Sequence, residues 1–428
     1  MRVAVIGSGI VGAAAAHWLS GRGVSVTVVD GEYAGQATQA GAGIVCPWVD
    51  HPDDDAWYRL TREGTRYYPE LVSALGESMG YTRVGALLVA EDPADLEPVR
   101  ALLARRYAEA PDMGEVVDVA APSTLFPPLA EDLSALLVPG AARVDGLAVR
   151  SALLRAAVRH GAELRTGTAT LTGDGGVLLR AARASDARGR APAAPEVPYD
   201  RNSWRQGAPA GSAYRADGEV LAETGSADGS ADVAEAAVAG GEAGQEQQVG
   251  GDDGVPLHAD AVIVAAGAWT GEVCRGLGVE LPVFPRRGQI VHATLDGVDT
   301  SRWPMVLPHV GPYLLGFPGS RVVVGATIED VGFAPWVTMG GLDEVLQAGL
   351  RVAPGLFGAT VTETRVGLRP VYAQGSPLIG TLTDRVVVAT GLGAYGLTAG
   401  PFAGRVAAGL ALGEEPPIDV DAYRPPPR

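Results

Sequence analysis

The chain has 428 residues, 47% of them hydrophobic, with 50 acidic against 33 basic side chains and a formal charge of −17. That balance excludes nucleic acid as a partner, because counterion release needs a dense cationic surface. No apolar run reaches the roughly 20 residues that cross a bilayer, and the sequence contains no lysine, so Schiff-base and P-loop lysine chemistry is excluded too.

Residues 1–6, Met-Arg-Val-Ala-Val-Ile, read as a buried strand rather than the start of a signal peptide, so cytoplasmic residence is expected. Gly7-Ser8-Gly9-Ile10-Val11-Gly12 follows, then a helix over 13–20 and a second strand over 24–29 that ends at Asp30. In this strand–turn–helix–strand setting the glycines serve three ends, namely a tight turn, close approach of backbone to a pyrophosphate, and close contact of helix with strand. Gly7, Gly9, Ile10, Val11 and Gly12 are therefore expected at an adenine dinucleotide, with the Asp30 carboxylate accepting from the ribose hydroxyls. The spacing does not choose between FAD and NAD.

The next segment, residues 35–45, is a loop of small residues holding Thr38, Gly43 and Ile44, which lets backbone amides approach a ring system closely. A nicotinamide enzyme would normally enter a helix here, so the loop favours flavin; a plain flexible loop is the alternative. Cys46 lies just beyond it, and Cys274 is the only other cysteine. Two thiols so far apart define neither a disulfide framework nor a zinc site, and no metal is expected.

Stretches near 80–90 and 283–330 read as strands bounded by Gly and Pro. Residues 163–167 read as a strand after a helix, and 261–265 as another strand. Between them, 181–254 is dominated by Ala, Gly, Asp, Glu, Ser and Pro. Such a segment cannot bury enough surface to offset roughly 1–2 kcal/mol of backbone entropy per residue, so it is expected to be a disordered or loosely ordered insertion at a hairpin tip, with a regulatory or partner-binding arm as the alternative. Near the end, a strand over 385–390, a turn over 391–396 and a helix over 397–412 suggest a second helix N-terminus, with Pro401 in its first turn and its positive end toward a flavin pyrimidine ring. Gly391, Gly393, Tyr395, Gly396, Leu397 and Thr398 are the contacts expected there; a structural turn is the alternative.

Taken in order, the fingerprint with Asp30, the loop 37–43, Ala259-Asp260 through Ala268-Trp269 with Gly267, Arg287-Gly288-Gln289, the run 324–333, Gly367-Leu368-Arg369-Pro370 and Pro377-Leu378-Ile379-Gly380 resemble the D-amino acid oxidase and glycine oxidase family of FAD-dependent oxidoreductases. The resemblance covers nearly everything outside the insertion. It implies an α/β fold: a Rossmann-like FAD-binding domain of the GR2 type, interleaved with an α+β substrate domain on a mostly antiparallel sheet. The expected division is 1–50, 140–180, 255–282 and 360–428 for FAD, and 51–139 with 283–359 for substrate.

The resemblance also implies roles. Arg369 would grip a substrate carboxylate, a bidentate contact suited to a planar guanidinium. Tyr313 would support that carboxylate through its hydroxyl, and His309, four residues earlier, reads as structural. The sarcosine-oxidase branch uses a cysteine for covalent flavin and a lysine for oxygen. This chain lacks the lysine, and Cys274 looks structural, so dissociable FAD is expected.

The implied chemistry is hydride transfer from the carbon bearing a neutral amine to flavin N5, giving an imine, with positioning in place of a dedicated base. Electrons would pass to oxygen, giving peroxide, or to another acceptor as in a dehydrogenase; a flavin-binding protein without catalysis is the third possibility.

Overall fold

The computed structural model describes residues 1–77, 79–181 and 254–426. The expected insertion at 181–254 lies almost wholly outside the described residues. Its flanks pair antiparallel, Val177 opposite Leu257 and Leu179 opposite Val255, so it leaves from the end of a hairpin.

A six-stranded sheet runs in the order Leu378–Thr383, Val386–Thr390, Ala261–Val264, Arg2–Ile6, Ser25–Asp30 and Glu163–Thr166. Five of its strands are parallel, and Leu378–Thr383 is an antiparallel edge. The central strands read VAVI, AVIV and VVVAT because a parallel sheet is covered on both faces, and their residues are buried throughout.

On one face lie helices Ile10–Ser20, Gly146–Arg159 and Gly396–Ala411. The first is alanine-rich where it meets the last, and Ala13 to Ala16 are buried. A Cβ at Gly404 would stand 2.4 Å from the Val11 carbonyl oxygen, so only glycine allows this approach. Gly396–Ala411 carries Pro401 as its sixth residue, in the second turn rather than the first as expected. Proline has no N–H, which leaves the Leu397 carbonyl without its helical donor, and the buried Tyr68 hydroxyl donates to it instead.

An eight-stranded sheet has the order Thr360–Tyr372, Val283–Thr294, Arg321–Gly325, Tyr313–Phe317, Met305–Pro308, Ala86–Ala90, Ser134–Val138 and Val117–Val119. Its pairings are antiparallel except Met305–Pro308 with Ala86–Ala90. Thr360–Tyr372 pairs along its length with Val283–Thr294, setting Arg369 opposite Arg286 and Leu368 opposite Arg287. It thus belongs by hydrogen bonding to the sheet expected to hold substrate, and we propose moving the domain boundary from 360 to after 372. Among the described residues no helix is long and apolar enough to cross a membrane.

His292, on the long strand, is buried, and neither ring nitrogen has a hydrogen-bond partner among the described residues. Burial, aided by Arg365 and Arg321, pushes its pKa down to about 4. The unfolded chain, near 6.5, binds the proton first, so this histidine's contribution is full above pH 6.5 and is lost as pH falls toward 4. A His292→Leu variant should therefore lose less thermal stability than wild type between pH 6.5 and 4.5, measured as Tm against pH; parallel curves would rule this out.

Candidate active site

A cavity of about 550 Å³ opens between the two sheets, lined by residues from both chain termini and the middle. At one part of its wall stand Gly7, Gly9, Ile10 and Val11, the start of helix Ile10–Ser20. Gly9 caps that helix with no side chain of its own to accept from the first-turn N–H groups, of which the Ile10 amide is taken by Thr38 Oγ1, and a helix start of this kind suits an anion. Gly12, expected at the cofactor, is not on the wall. A Cβ there would lie 1.9 Å from the Gly7 carbonyl oxygen, so its part is to let helix and strand touch.

Asp30 lines the cavity where the second strand ends. Its carboxylate accepts from the Ser8 amide at 2.7 Å, the Glu32 amide at 2.7 Å and Gln36 Nε2 at 2.8 Å, and from the Ser8 hydroxyl. Tyr33 stacks on Trp269 with centroids 5.1 Å apart, and both flank this part of the cavity.

The small-residue loop contains a four-residue helical turn, Ala37–Ala40, where an irregular loop was expected. The Ile10 amide donates to Thr38 Oγ1 at 3.0 Å, and Thr398 Oγ1 donates to the Ile44 carbonyl at 2.9 Å, so the loop is tied to the N-terminal ends of both helices. Thr38, Gly43 and Ile44 line the cavity, as do Gly267, Gly391, Gly393, Tyr395, Gly396, Leu397 and Thr398. A Cβ at Gly267, Gly393 or Gly396 would meet no protein atom within 4 Å, so these glycines hold open space on the cavity wall. A pyrophosphate-ready helix start, an acid at the second strand and a glycine-walled chamber beside another uncapped helix start fit FAD.

The Arg287-Gly288-Gln289 run shows why its residue types alternate. Arg287 is buried, bonds Glu329, and donates to the Ala334 and Trp336 carbonyls at 3.2 and 3.3 Å. Gln289 bonds Glu329 at 2.7 Å and Thr338 at 3.0 Å. Both thereby hold residues 327–338 in place. Gly288 faces the other way, where a Cβ would lie 2.3 Å from the Arg369 guanidinium.

Arg369 lines the cavity and donates to the Arg287 and Thr327 carbonyls at 3.2 and 3.1 Å. Arg286 is held by Asp330 at 2.8 Å and Arg287 by Glu329, whereas no carboxylate among the described residues pairs with Arg369. Burial pushes its pKa down, against the pull of Tyr313. Tyr313 also lines the cavity; burial pushes its pKa up, against Arg369, which bonds its hydroxyl. A desolvated guanidinium with a phenol beside it and no carboxylate paired to it among the described residues has the chemistry to receive a carboxylate. His309 is exposed and off the wall, and Cys274 is buried away from it.

Cys46 reaches the cavity, and burial pushes its thiol far up, which disfavours the thiolate. Asp50, His51 and Trp57 also line the wall, and the sequence did not single them out. Asp50 stands close to Asp53, Asp54 and Asp55, and Asp54 is an ordinary helix cap, accepting from the Trp57 amide at 2.9 Å. Only burial sets Asp50 apart, and no local pattern shows burial of a carboxylate.

A family model described as "FAD dependent oxidoreductase" (DAO) matches residues 2–193 and 220–410. The chain is 35% identical to an uncharacterised oxidoreductase of Bacillus subtilis over 98% of its own length and 97% of that protein's. Iminodiacetate oxidase from Chelativorans sp. BNC1 superimposes with a TM-score of 0.80 at 39% identity, over 99% of each chain. Glycine oxidase from Geobacillus kaustophilus shares the fold, with a TM-score of 0.72 at 21% identity over 99% of this chain and 98% of that one.

Proposed function

The chain belongs to the DAO family of FAD-dependent oxidoreductases, and from that premise we propose that it oxidises the C–N bond of a small amino acid or N-substituted glycine. The observation that carries this reading is the guanidinium of Arg369, in the cavity wall with no carboxylate paired to it among the described residues. A related chain oxidises iminodiacetate, an N-substituted glycine, which supports the substrate class.

Gly7, Gly9, Ile10, Val11 and Asp30 would hold the adenosine and pyrophosphate portions of FAD, and the 37–44 segment with Gly391 to Thr398 its ring. Bound FAD supplies the hydride acceptor, held without a covalent bond. Arg369 fixes the substrate carboxylate and Tyr313 supports it, so the reacting C–H is held in one orientation, an effect that can contribute about 7–11 kcal/mol to lowering a barrier. The imine then hydrolyses after release. Oxygen or another acceptor takes the electrons, and the reaction runs in the cytoplasm.

The test is an anaerobic screen of glycine, N-methylglycine, iminodiacetate, D-amino acids and uncharged amines, scored by bleaching of the bound flavin. Carboxylate-bearing amines should bleach it. Failure of every amine would support a flavin-binding protein without catalysis, and oxygen uptake during turnover separates oxidase from dehydrogenase.

A further inference from the structure

One part of the cavity wall carries an acid that neither carboxylate capture nor flavin binding employs. Asp50 is 4% exposed and lines the cavity. The Tyr395 hydroxyl donates to its carboxyl group, while Oδ1 has no hydrogen-bond partner among the described residues. A buried acid left under-bonded is costly, and such groups in native structures call for a ligand or a chemical role.

The segment is built to hold this acid in place. Arg106 donates to the carbonyls of Trp48 at 2.8 Å, Asp50 at 2.6 Å and His51 at 2.6 Å, and its guanidinium lies 3.7 Å from the Tyr58 ring centroid. It is committed to main chain and ring rather than to the Asp50 carboxylate. His51, at φ 52°, sits in the left-handed region that side chains avoid. Its ring stacks on Trp57 with centroids 4.7 Å apart and meets Tyr395 at 4.6 Å. A carboxyl group beside aromatic faces attracts a cation, as Arg369 attracts an anion.

We propose that Asp50, with Tyr395 and the rings of His51 and Trp57, forms the amine-recognition pole of the site, pairing with the substrate ammonium and taking one of its protons. This rests on the reading of the cavity as an amino-acid site. The substrate class narrows accordingly to zwitterions, carboxylate toward Arg369 and ammonium toward Asp50. One N–H bond breaks and an O–H bond forms on Asp50, leaving a lone pair on nitrogen. When the Cα hydride departs with its electron pair to bound FAD, that lone pair forms the C=N bond of an iminium ion, and the Asp50 proton later returns to solvent. The acid thus acts on nitrogen, and no base for the Cα–H bond is invoked.

Burial holds the Asp50 pKa well above the usual carboxylate range, opposed by Tyr395 and Arg106. Cys46 from its own segment, the adjacent His51, Tyr395 from the terminal strand–helix junction and Arg106 from helix Glu97–Arg106 are the groups that face it. Below its pKa the acid is protonated and cannot accept, so substrate oxidation should rise with pH through that ionisation. Acetate should show the opposite sign, because it brings an anion next to Asp50 as Asp50 ionises.

The experiment uses the FAD-loaded enzyme as wild type, Asp50→Asn and Asp50→Glu. Anaerobic flavin bleaching by the substrate found in the screen is followed against pH, and acetate binding is measured by perturbation of the flavin spectrum. In Asp50→Asn, bleaching at pH 7 should fall about 100-fold, within the range for loss of a positioned acid or base. It should recover only as the free amine deprotonates in solution, and acetate affinity should lose its pH dependence. Asp50→Glu should restore a pH-dependent limb at a shifted position. A pH profile in Asp50→Asn identical to wild type for both measurements overturns the proposal. Failure of acetate to bind wild type, with no amine bleaching it, would instead overturn the reading of the cavity as an amino-acid site.

Discussion

Arg369→Ala should lower kcat/KM for carboxylate-bearing substrates by about 10³-fold, close to the roughly 4 kcal/mol expected when one partner of a buried charge pair is removed. FAD should stay bound, because among the described residues the guanidinium bonds the Arg287 and Thr327 carbonyls and the Tyr313 hydroxyl, none of them at the fingerprint or the small-residue loop. Arg369→Lys should recover only part of the loss, since an ammonium cannot present two parallel N–H bonds to a carboxylate. Gly288→Ala should mimic it from a distance: the new Cβ would sit where the guanidinium now lies, displacing that group while leaving its charge in the protein. Flavin content and anaerobic bleaching together check this, and unchanged kinetics in Arg369→Ala would remove the residue from the site.

Gly7→Ala should abolish flavin uptake and sharply reduce folded protein. The residue has φ 101°, which side chains rarely adopt, and the added Cβ would lie 2.3 Å from the Ala265 carbonyl oxygen. That oxygen belongs to main chain following the parallel strand Ala261–Val264, so it cannot swing aside; changes of this kind cost more than about 4 kcal/mol. Gly9→Ala is the informative control. Its Cβ would meet only Thr38 Oγ1, at 3.5 Å, so that protein should fold and lose FAD affinity alone. Equal flavin content and Tm in Gly7→Ala and wild type would show that the turn is not under the constraint described.

Part of the site is legible in the amino-acid order because its signal is local. The run from Arg2 to Asp30 encodes strand, turn, helix and strand through apolar runs and glycine spacing, each within a few residues of the next. The strand–turn–helix near the C-terminus is of the same kind, although the sequence did not show that Pro401 falls in the second turn, where Tyr68 from another helix completes the bonding.

The resemblance of ordered segments pointed to FAD, and the family match bears it out. Gly12 was legible as a member of the motif, but its contact is with Gly7 rather than the cavity, a distinction that depends on which face of the helix is covered.

What the amino-acid order alone determined, then, is where backbone must turn, where helices begin, and that an adenine dinucleotide fold is present; these follow from steric limits acting between near neighbours. Tertiary structure alone decided which of Arg286, Arg287 and Arg369 has no paired carboxylate among the described residues, because the acids that pair with the first two, Asp330 and Glu329, come from a segment more than 40 residues along the chain. It alone singled out Asp50 from its neighbours Asp53, Asp54 and Asp55. Charge compensation and desolvation are set by what packs around a group, and strand pairing and helix docking bring that company from distant parts of the chain.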